Sequence, residues 1–253
     1  MLPYPLQTPA IAVPDCYYVR PLLHGLHLRE DLSLRSCEPD GLMDVLSDPA
    51  CCCAFVSPTA LLRDDRLSVL PGAGAVAREA AVSERLITSA PLEAVRTVAV
   101  APGAAHLVDY IRVLFAERGL PQPDFFAEGD GAATAEIARL VSGDSGLAHD
   151  AAIPGHDVGA LWKECTGMPM VLGLWACTPM APYRLLRQVL GEAARQEEEA
   201  LAGKAATSGA EVATKDHLYY RLLSLESDSI RTLHALARRH AICETSAESI
   251  AFC

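Results

Sequence analysis

The segment Thr97–Ala101 reads TVAVA, β-branched and apolar on both faces. Such a strand must be covered on both sides, as in parallel sheets flanked by helices. It runs through Pro102-Gly103 into a helical pattern over Ala104–Arg118. Leu107, Ile111 and Leu114 form one stripe there, and Gly119 is the stop. The same alternation recurs along the chain. Strands are expected at Ala10–Pro14, Cys51–Ser57, Arg66–Leu70, Glu84–Thr88, Asp124–Ala127, Gly146–Ala148 and Met170–Cys177. Helices are expected around Leu22, Leu23 and Leu26, then at Pro39–Leu46, Gly131–Val141, Leu161–Thr166, Tyr183–Leu201, Lys215–Ser224 and Ser227–His240. Pro71–Ala75 (PGAGA) reads as a turn, Gln196–Glu199 (QEEE) as a solvated helix face, and Gly203–Gly209 as a polar loop. The pattern predicts an α/β protein with mainly parallel sheets.

Composition narrows the partners. Lys and Arg total 21 against 32 Asp and Glu in 253 residues, a formal charge of −11. A pI near 5.1 leaves no basic surplus for nucleic acid, whereas an anionic small molecule needs only one positive pocket. The apolar runs, Pro169–Cys177 among them, are too short to span a membrane. No Lys or Arg precedes Arg20, so the start lacks the basic stretch of a secretory signal, and a cytoplasmic location is expected. Nine cysteines occur without a CxxC pair and are read as small buried hydrophobes in a reducing compartment.

No phosphate loop, GxGxxG, GxSxG or HExxH is present, and the eight histidines show no metal spacing, so neither metal nor cofactor is expected. Two places carry chemistry. In Pro102-Gly103-Ala104-Ala105-His106, free N–H groups at a helix start form an anion site beyond the carboxyl end of a strand. His106 there reads either as a partner for a carboxylate or as an exposed residue. In Gly146–Asp150, a short strand delivers His149 and Asp150, which read either as a general base with its neighbour or as a helix cap beside an exposed histidine.

His156–Pro169 (HDVGALWKECTGMP) followed by Met170–Ala176 (MVLGLWA) resembles the D-L-G-x-x-W-K-x-x-T-G-L-P…W-A signature of the chorismate dehydratases of the futalosine route to menaquinone. Arg20-Pro21-Leu22 with Gly25-Leu26 is similar to that family's R-P-L-x-x-G-L. Leu70-Pro71, Ser83 and Pro91–Val100 fall in matching order, so the resemblance covers nearly the whole chain. It implies a type-II periplasmic-binding-protein fold, with two α/β lobes, a two-strand hinge and a ligand cleft between them. Lobe one would be 1–86 plus 178–253 and lobe two 87–177, with the hinge near Leu86–Ser89 and Leu174–Thr178.

The chain departs from the family pattern at three places. Tyr18 stands where the family has Asn. Ala104-Ala105-His106-Leu107 replaces a hydroxyl-rich S-R-T-S. His149-Asp150 replaces Gly-Asp, a change similar to the sister dihydroxynaphthoate synthases, which keep a catalytic His there.

The resemblance implies a carbon–oxygen lyase. It would remove the ring C3 proton and C4 hydroxyl of chorismate, or a related enolpyruvyl carboxylate, to form a 3-enolpyruvyl benzoate, with the substrate's own enolpyruvyl carboxylate as base. Catalytic roles fall to His149 and Tyr18, the latter as donor to the leaving hydroxyl. Ser57, Ser83, Gly103, Ala105, His106 and Asp150 would hold a small-molecule carboxylate, in a monomer or homodimer. Arg20 is expected in a structural ion pair, and Trp162 and Trp175 in packing. A dihydroxynaphthoate-synthase-type enzyme and a non-catalytic carboxylate binder are the alternative readings.

Overall fold

The computed structural model describes residues 8–129, 137–148, 153–203, 212, 215–243 and 250–253. Its strands are β1 (Ala10–Pro14), β2 (Ser33–Cys37), β3 (Cys51–Val56), β4 (Ser68–Ala77), β5 (Arg85–Ile87), β6 (Thr97–Val100), β7 (Asp124–Ala127), β8 (Ala138–Val141), β9 (Gly155–Asp157), β10 (Val171–Cys177), β11 (Leu218–Tyr219) and β12 (Ala251–Phe252). The α-helices are α1 (Leu42–Leu46), α2 (Leu107–Glu117), α3 (Gly143–Leu147), α4 (Val158–Thr166), α5 (Tyr183–Gly203) and α6 (Ser224–Arg239).

Two sheets form. The first runs β11-β4-β10-β3-β1-β2, with β12 also on β4, and the second runs β7-β6-β8-β5-β9. Both are mixed. Parallel pairing joins β1 to β2 and β3, and β6 to β7 and β8. The strands that lead the chain between sheets are antiparallel: β10 lies between β3 and β4, and β5 between β8 and β9. The expectation of mainly parallel sheets is thereby corrected. β3 and β10 are buried at every position, which is why their sequences are apolar runs and not alternations.

The chain leaves the first sheet after Ala77, enters the second at Arg85, and returns between Thr166 and Val171. Leu86 therefore lies inside β5, and Leu174–Cys177 inside β10 at the middle of the first sheet, not in the crossing segments.

Five further expectations change. Pro71–Ala75 is not a turn but the interior of β4. Its glycines permit close packing: a Cβ on Gly74 would sit 2.8 Å from Leu222 Cδ1 and 2.9 Å from Gly173 O. Gly146 and Leu147 belong to α3, not a strand. A Cβ on Gly146 would fall 1.7 Å from Ser83 O, so only glycine lets this turn dock on the crossing segment. Ala138–Val141 is β8, not a helix end, while 131–136 lie outside the described residues, as does most of the expected Gly203–Gly209 loop. Of the helix expected at Lys215–Ser224, residues 215–217 are helical, while 218–223 are extended. Leu218, Tyr220 and Leu222 are buried while Tyr219, Arg221 and Leu223 face outward, the period of a strand. The first expected helix is a pair of 3-10 turns, Arg20–Leu23 and Leu26–Leu28, separated by Gly25 at φ +76°. Trp162 and Trp175 are fully buried, against Tyr110 and Phe55 respectively.

Candidate active site

β1 ends at Pro14, and the turn behind it buries Tyr18. β3 ends at Val56 and delivers Ser57 to the start of a 3-10 turn, Pro58–Leu62. Pro58 suits that first position because its missing N–H is not needed there. On the opposite side β6 passes through Gly103, at φ +79°, into α2, whose N-cap is His106. These elements enclose a cavity of about 260 Å³. Tyr18, Ser57, Thr59, Arg63, Ala105 and His106 line it, together with Asp40 and the apolar Leu42, Phe55 and Leu172.

The two walls are bonded to each other. Asp40 Oδ2 accepts the Gly103 N–H at 2.9 Å. Thr59 Oγ1 donates to the carbonyl of His106 at 3.2 Å. Arg63 Nη2 lies 2.6 Å from Asp109 Oδ2. A second latch sits at the far side, where Asp144 Oδ1 accepts the Tyr17 N–H at 2.7 Å and Asp144 Oδ2 meets Arg20 Nη2 at 2.5 Å. Arg20 also pairs with Asp15, so it is an ion-pair residue as expected, but one that ties the two sides together. These bonds hold the two walls together around a pocket that stays open to solvent on one side.

Behind the cavity lies a buried polar cluster. Ser83 and Glu84 are 0% and 1% exposed. Ser83 Oγ donates to Glu84 Oε1 at 3.1 Å and lies 3.0 Å from the Tyr17 hydroxyl. The Gly143 N–H reaches Glu84 Oε1 at 3.4 Å. Glu84 Oε2 has no hydrogen-bond partner among the described residues and lies 3.6 Å from His106 Nε2. The segment is held by Asp157, the N-cap of α4: its carboxylate accepts the N–H groups of Ala81, Val82 and Ala160 at 2.9, 2.7 and 2.8 Å. Val82 sits at φ +54°, a strained conformation for a β-branched residue. Burial pushes the Tyr18 phenol well above its ordinary value and the Cys16 thiol up to about 12, so both stay protonated at neutral pH.

Of the residues singled out from sequence, Tyr18, Ser57, Ala105 and His106 share one cavity wall or the other. Ser57 Oγ accepts the Thr59 N–H at 3.5 Å and lies 3.2 Å from Thr59 Oγ1, to which, with the threonine proton on the His106 carbonyl, it is the donor. The Gly103 N–H is taken by Asp40. Ser83 does not line the cavity but stands one layer behind it, against Glu84. His149 and Asp150 lie outside the described residues. Sequence reasoning missed Asp40, Thr59, Arg63 and Glu84. Glu84 alone left a trace, as the first residue of the strand expected at Glu84–Thr88; the other three meet the site only through tertiary approach. Among the described residues no group of three His, Cys, Asp or Glu could hold a metal ion, and no helix is long and apolar enough to cross a membrane.

Comparison with solved structures finds the same architecture. The Archaeoglobus fulgidus protein AF1704 superposes with a TM-score of 0.69 at 13% identity, covering 94% of this chain and 100% of that one. The Escherichia coli periplasmic aliphatic sulphonate binding protein SsuA superposes at 0.60 with 12% identity, covering 95% and 94%. The Xanthomonas axonopodis alkanesulfonate-binding protein SsuA, bound to MOPS, gives 0.60 at 10% identity and 96% of both chains. These likenesses establish the periplasmic-binding-protein fold. No curated protein sequence matches the chain. A family model described as menaquinone biosynthesis spans residues 9–241, and the chain therefore belongs to that family, the family of the chorismate dehydratases.

Proposed function

We propose that this protein is a cytoplasmic carbon–oxygen lyase that dehydrates chorismate, or a closely related cyclic enolpyruvyl carboxylate, to a 3-enolpyruvyl benzoate and water. The observation that carries this reading is the pocket of about 260 Å³ between the two bonded walls. It is just below the roughly 300 Å³ at which ligand pockets begin, a size for one small ring. Its polar lining is hydroxyls, a guanidinium, an imidazole and one carboxylate, with no nucleophile–base pair. That suits a reaction whose demands are to hold carboxylates, exclude water and move a proton. The ring C3 proton is vinylogous to the ring carboxylate, which delocalises the developing charge, and aromatisation drives loss of the hydroxyl.

In this reading Arg63 and the N–H groups at the start of α2 face the substrate carboxylates, and Tyr18 packs on the ring. The lobes are the two sheets with their helices, and the crossing segments 78–84 and 167–170 are the hinge. Purified protein incubated with chorismate should yield a product lighter by one water with a benzoate ultraviolet spectrum. Tight chorismate binding without product would replace this reading by the non-catalytic one, which the likeness to sulphonate-binding proteins favours.

A further inference from the structure

We propose that His106 is the proton-transferring residue of this pocket and that Glu84, buried behind it, positions its imidazole. The proposal rests on the lyase reading and deepens it.

Glu84 is the least expected group in the protein. Its carboxylate is 1% exposed, at the crossing between the two sheets, beside the strained Val82. Oε1 is held by Ser83 Oγ–H and the Gly143 N–H, which fixes the direction in which Oε2 points. Oε2 itself has no hydrogen-bond partner among the described residues. A buried carboxylate oxygen left bare is costly and needs a reason. The one basic group within ion-pair reach among the described residues is His106, with Nε2 at 3.6 Å. That is too long for a hydrogen bond but typical of catalytic pairs that tighten when ligand binds. The other charged groups about His106 are Asp109, one turn along α2 and already paired with Arg63, and Asp40 across the cavity on the Gly103 N–H. The His106 ring borders the cavity, and its carbonyl is gripped by Thr59 from the opposite wall. Closure thus fixes the histidine against both its carboxylate and the ligand.

A buried carboxylate behind a histidine selects its tautomer and stabilises its imidazolium. In the dehydration the substrate's enolpyruvyl carboxylate takes the C3 proton. The C3–H electron pair becomes the new ring double bond as the C4–O bond breaks. The departing hydroxyl takes the His106 proton and leaves as water. His106 then recovers a proton from the enolpyruvyl carboxyl, so that chorismate yields only the benzoate and water. Tyr18, buried and shifted to higher pKa, is the poorer acid for this step.

The test uses histidine-labelled protein and chorismate. In nitrogen NMR, His106 ring signals should move on adding chorismate, and the complex should show a low-field Nε2 proton that is absent with His106→Gln and with Glu84→Gln. His106→Ala should lower kcat by about 10²–10⁴, with KM within about threefold. Added imidazole should restore at least about tenfold of that loss. Glu84→Gln keeps the acceptor at Oε1 and should lower kcat by about 10–100-fold at unchanged KM and unchanged melting temperature. A His106→Ala enzyme within threefold of wild type, or a Glu84→Gln variant with normal kcat, overturns the proposal. Should the wild type bind chorismate without turning it over, the lyase reading falls. The pair is then judged by NMR: ring signals indifferent to chorismate or to Glu84→Gln overturn it as well.

Discussion

Asp40 Oδ2 accepts the N–H of Gly103 at 2.9 Å, across the cleft and at the mouth of the anion site proposed at the start of α2. The protein thus presents its own carboxylate where a ligand carboxylate is expected to dock. An exposed interaction of this kind is worth about 0.2–1 kcal/mol. Asp40→Asn should therefore tighten chorismate binding about two- to fivefold, read by calorimetry. Weaker binding in the variant would mean that the bond serves closure and does not compete with ligand.

Asp144 joins the walls on the other side, through the Tyr17 N–H and Arg20. Removing it should shift the unliganded protein toward an open form, because it leaves the walls joined on one side only, by Asp40, Thr59 and Arg63. Small-angle scattering of Asp144→Ala should show a larger radius of gyration than wild type, with compaction restored by saturating chorismate. Equal radii for variant and wild type without ligand would count against a latch.

Asp109 gives stability a pH dependence of unusual sign. Burial raises its carboxyl above the ordinary 3.8, although the Arg63 guanidinium pulls the other way. The folded protein therefore keeps a proton there after the unfolded chain has lost it. This contribution is complete below 3.8 and is lost as pH rises through the higher folded value. Relative to wild type, Asp109→Asn should lack that decline in melts taken from acid to neutral pH. Arg63→Gln should extend it upward and destabilise the neutral protein. Breaking a buried pair costs about 3–5 kcal/mol, and the half-exposed arginine reduces this to about 1–3 kcal/mol. Parallel pH profiles for Asp109→Asn and wild type would refute the assignment.

Much of the fold was readable because local pattern and tertiary role agree. TVAVA is β6, and the stripe through Leu107, Ile111 and Leu114 is the buried face of α2. The failures share a cause. Gly74 and Gly146 are glycine because backbone and side chains from elsewhere press on them, yet locally a glycine reads as punctuation. Leu218–Leu222 alternates as a strand does but lies among helix-forming neighbours, and pairing with β4 decides it. In the candidate site, His106 was legible from its place after a strand. Its carboxylate partner was not, because Glu84 reaches it only once the crossing segment is folded.

The cysteines provide a separate check. All nine are free, and Cys53 and Cys177 face each other on neighbouring strands with their sulfurs 3.4 Å apart. Burial lifts the Cys52 thiol to about 11 and that of Cys16 to about 12, far from the thiolate needed for reaction. Native protein should react slowly with a thiol reagent at these positions, and melting temperature should not respond to reductant. A large fall in melting temperature on reduction would mean that a disulfide forms in solution.

The placement of β10 between β3 and β4 sets an order of assembly. Every strand of the second sheet falls within residues 85–157, so its strands are all available early in synthesis. The first sheet begins with the opening strands yet stays split, since β3 and β4 do not pair with each other and must await β10 at Val171–Cys177. Closing that long loop is entropically slow. A ribosome-bound chain halted before β10 would carry one finished sheet beside two unjoined edges, the state in which this protein is most open to aggregation.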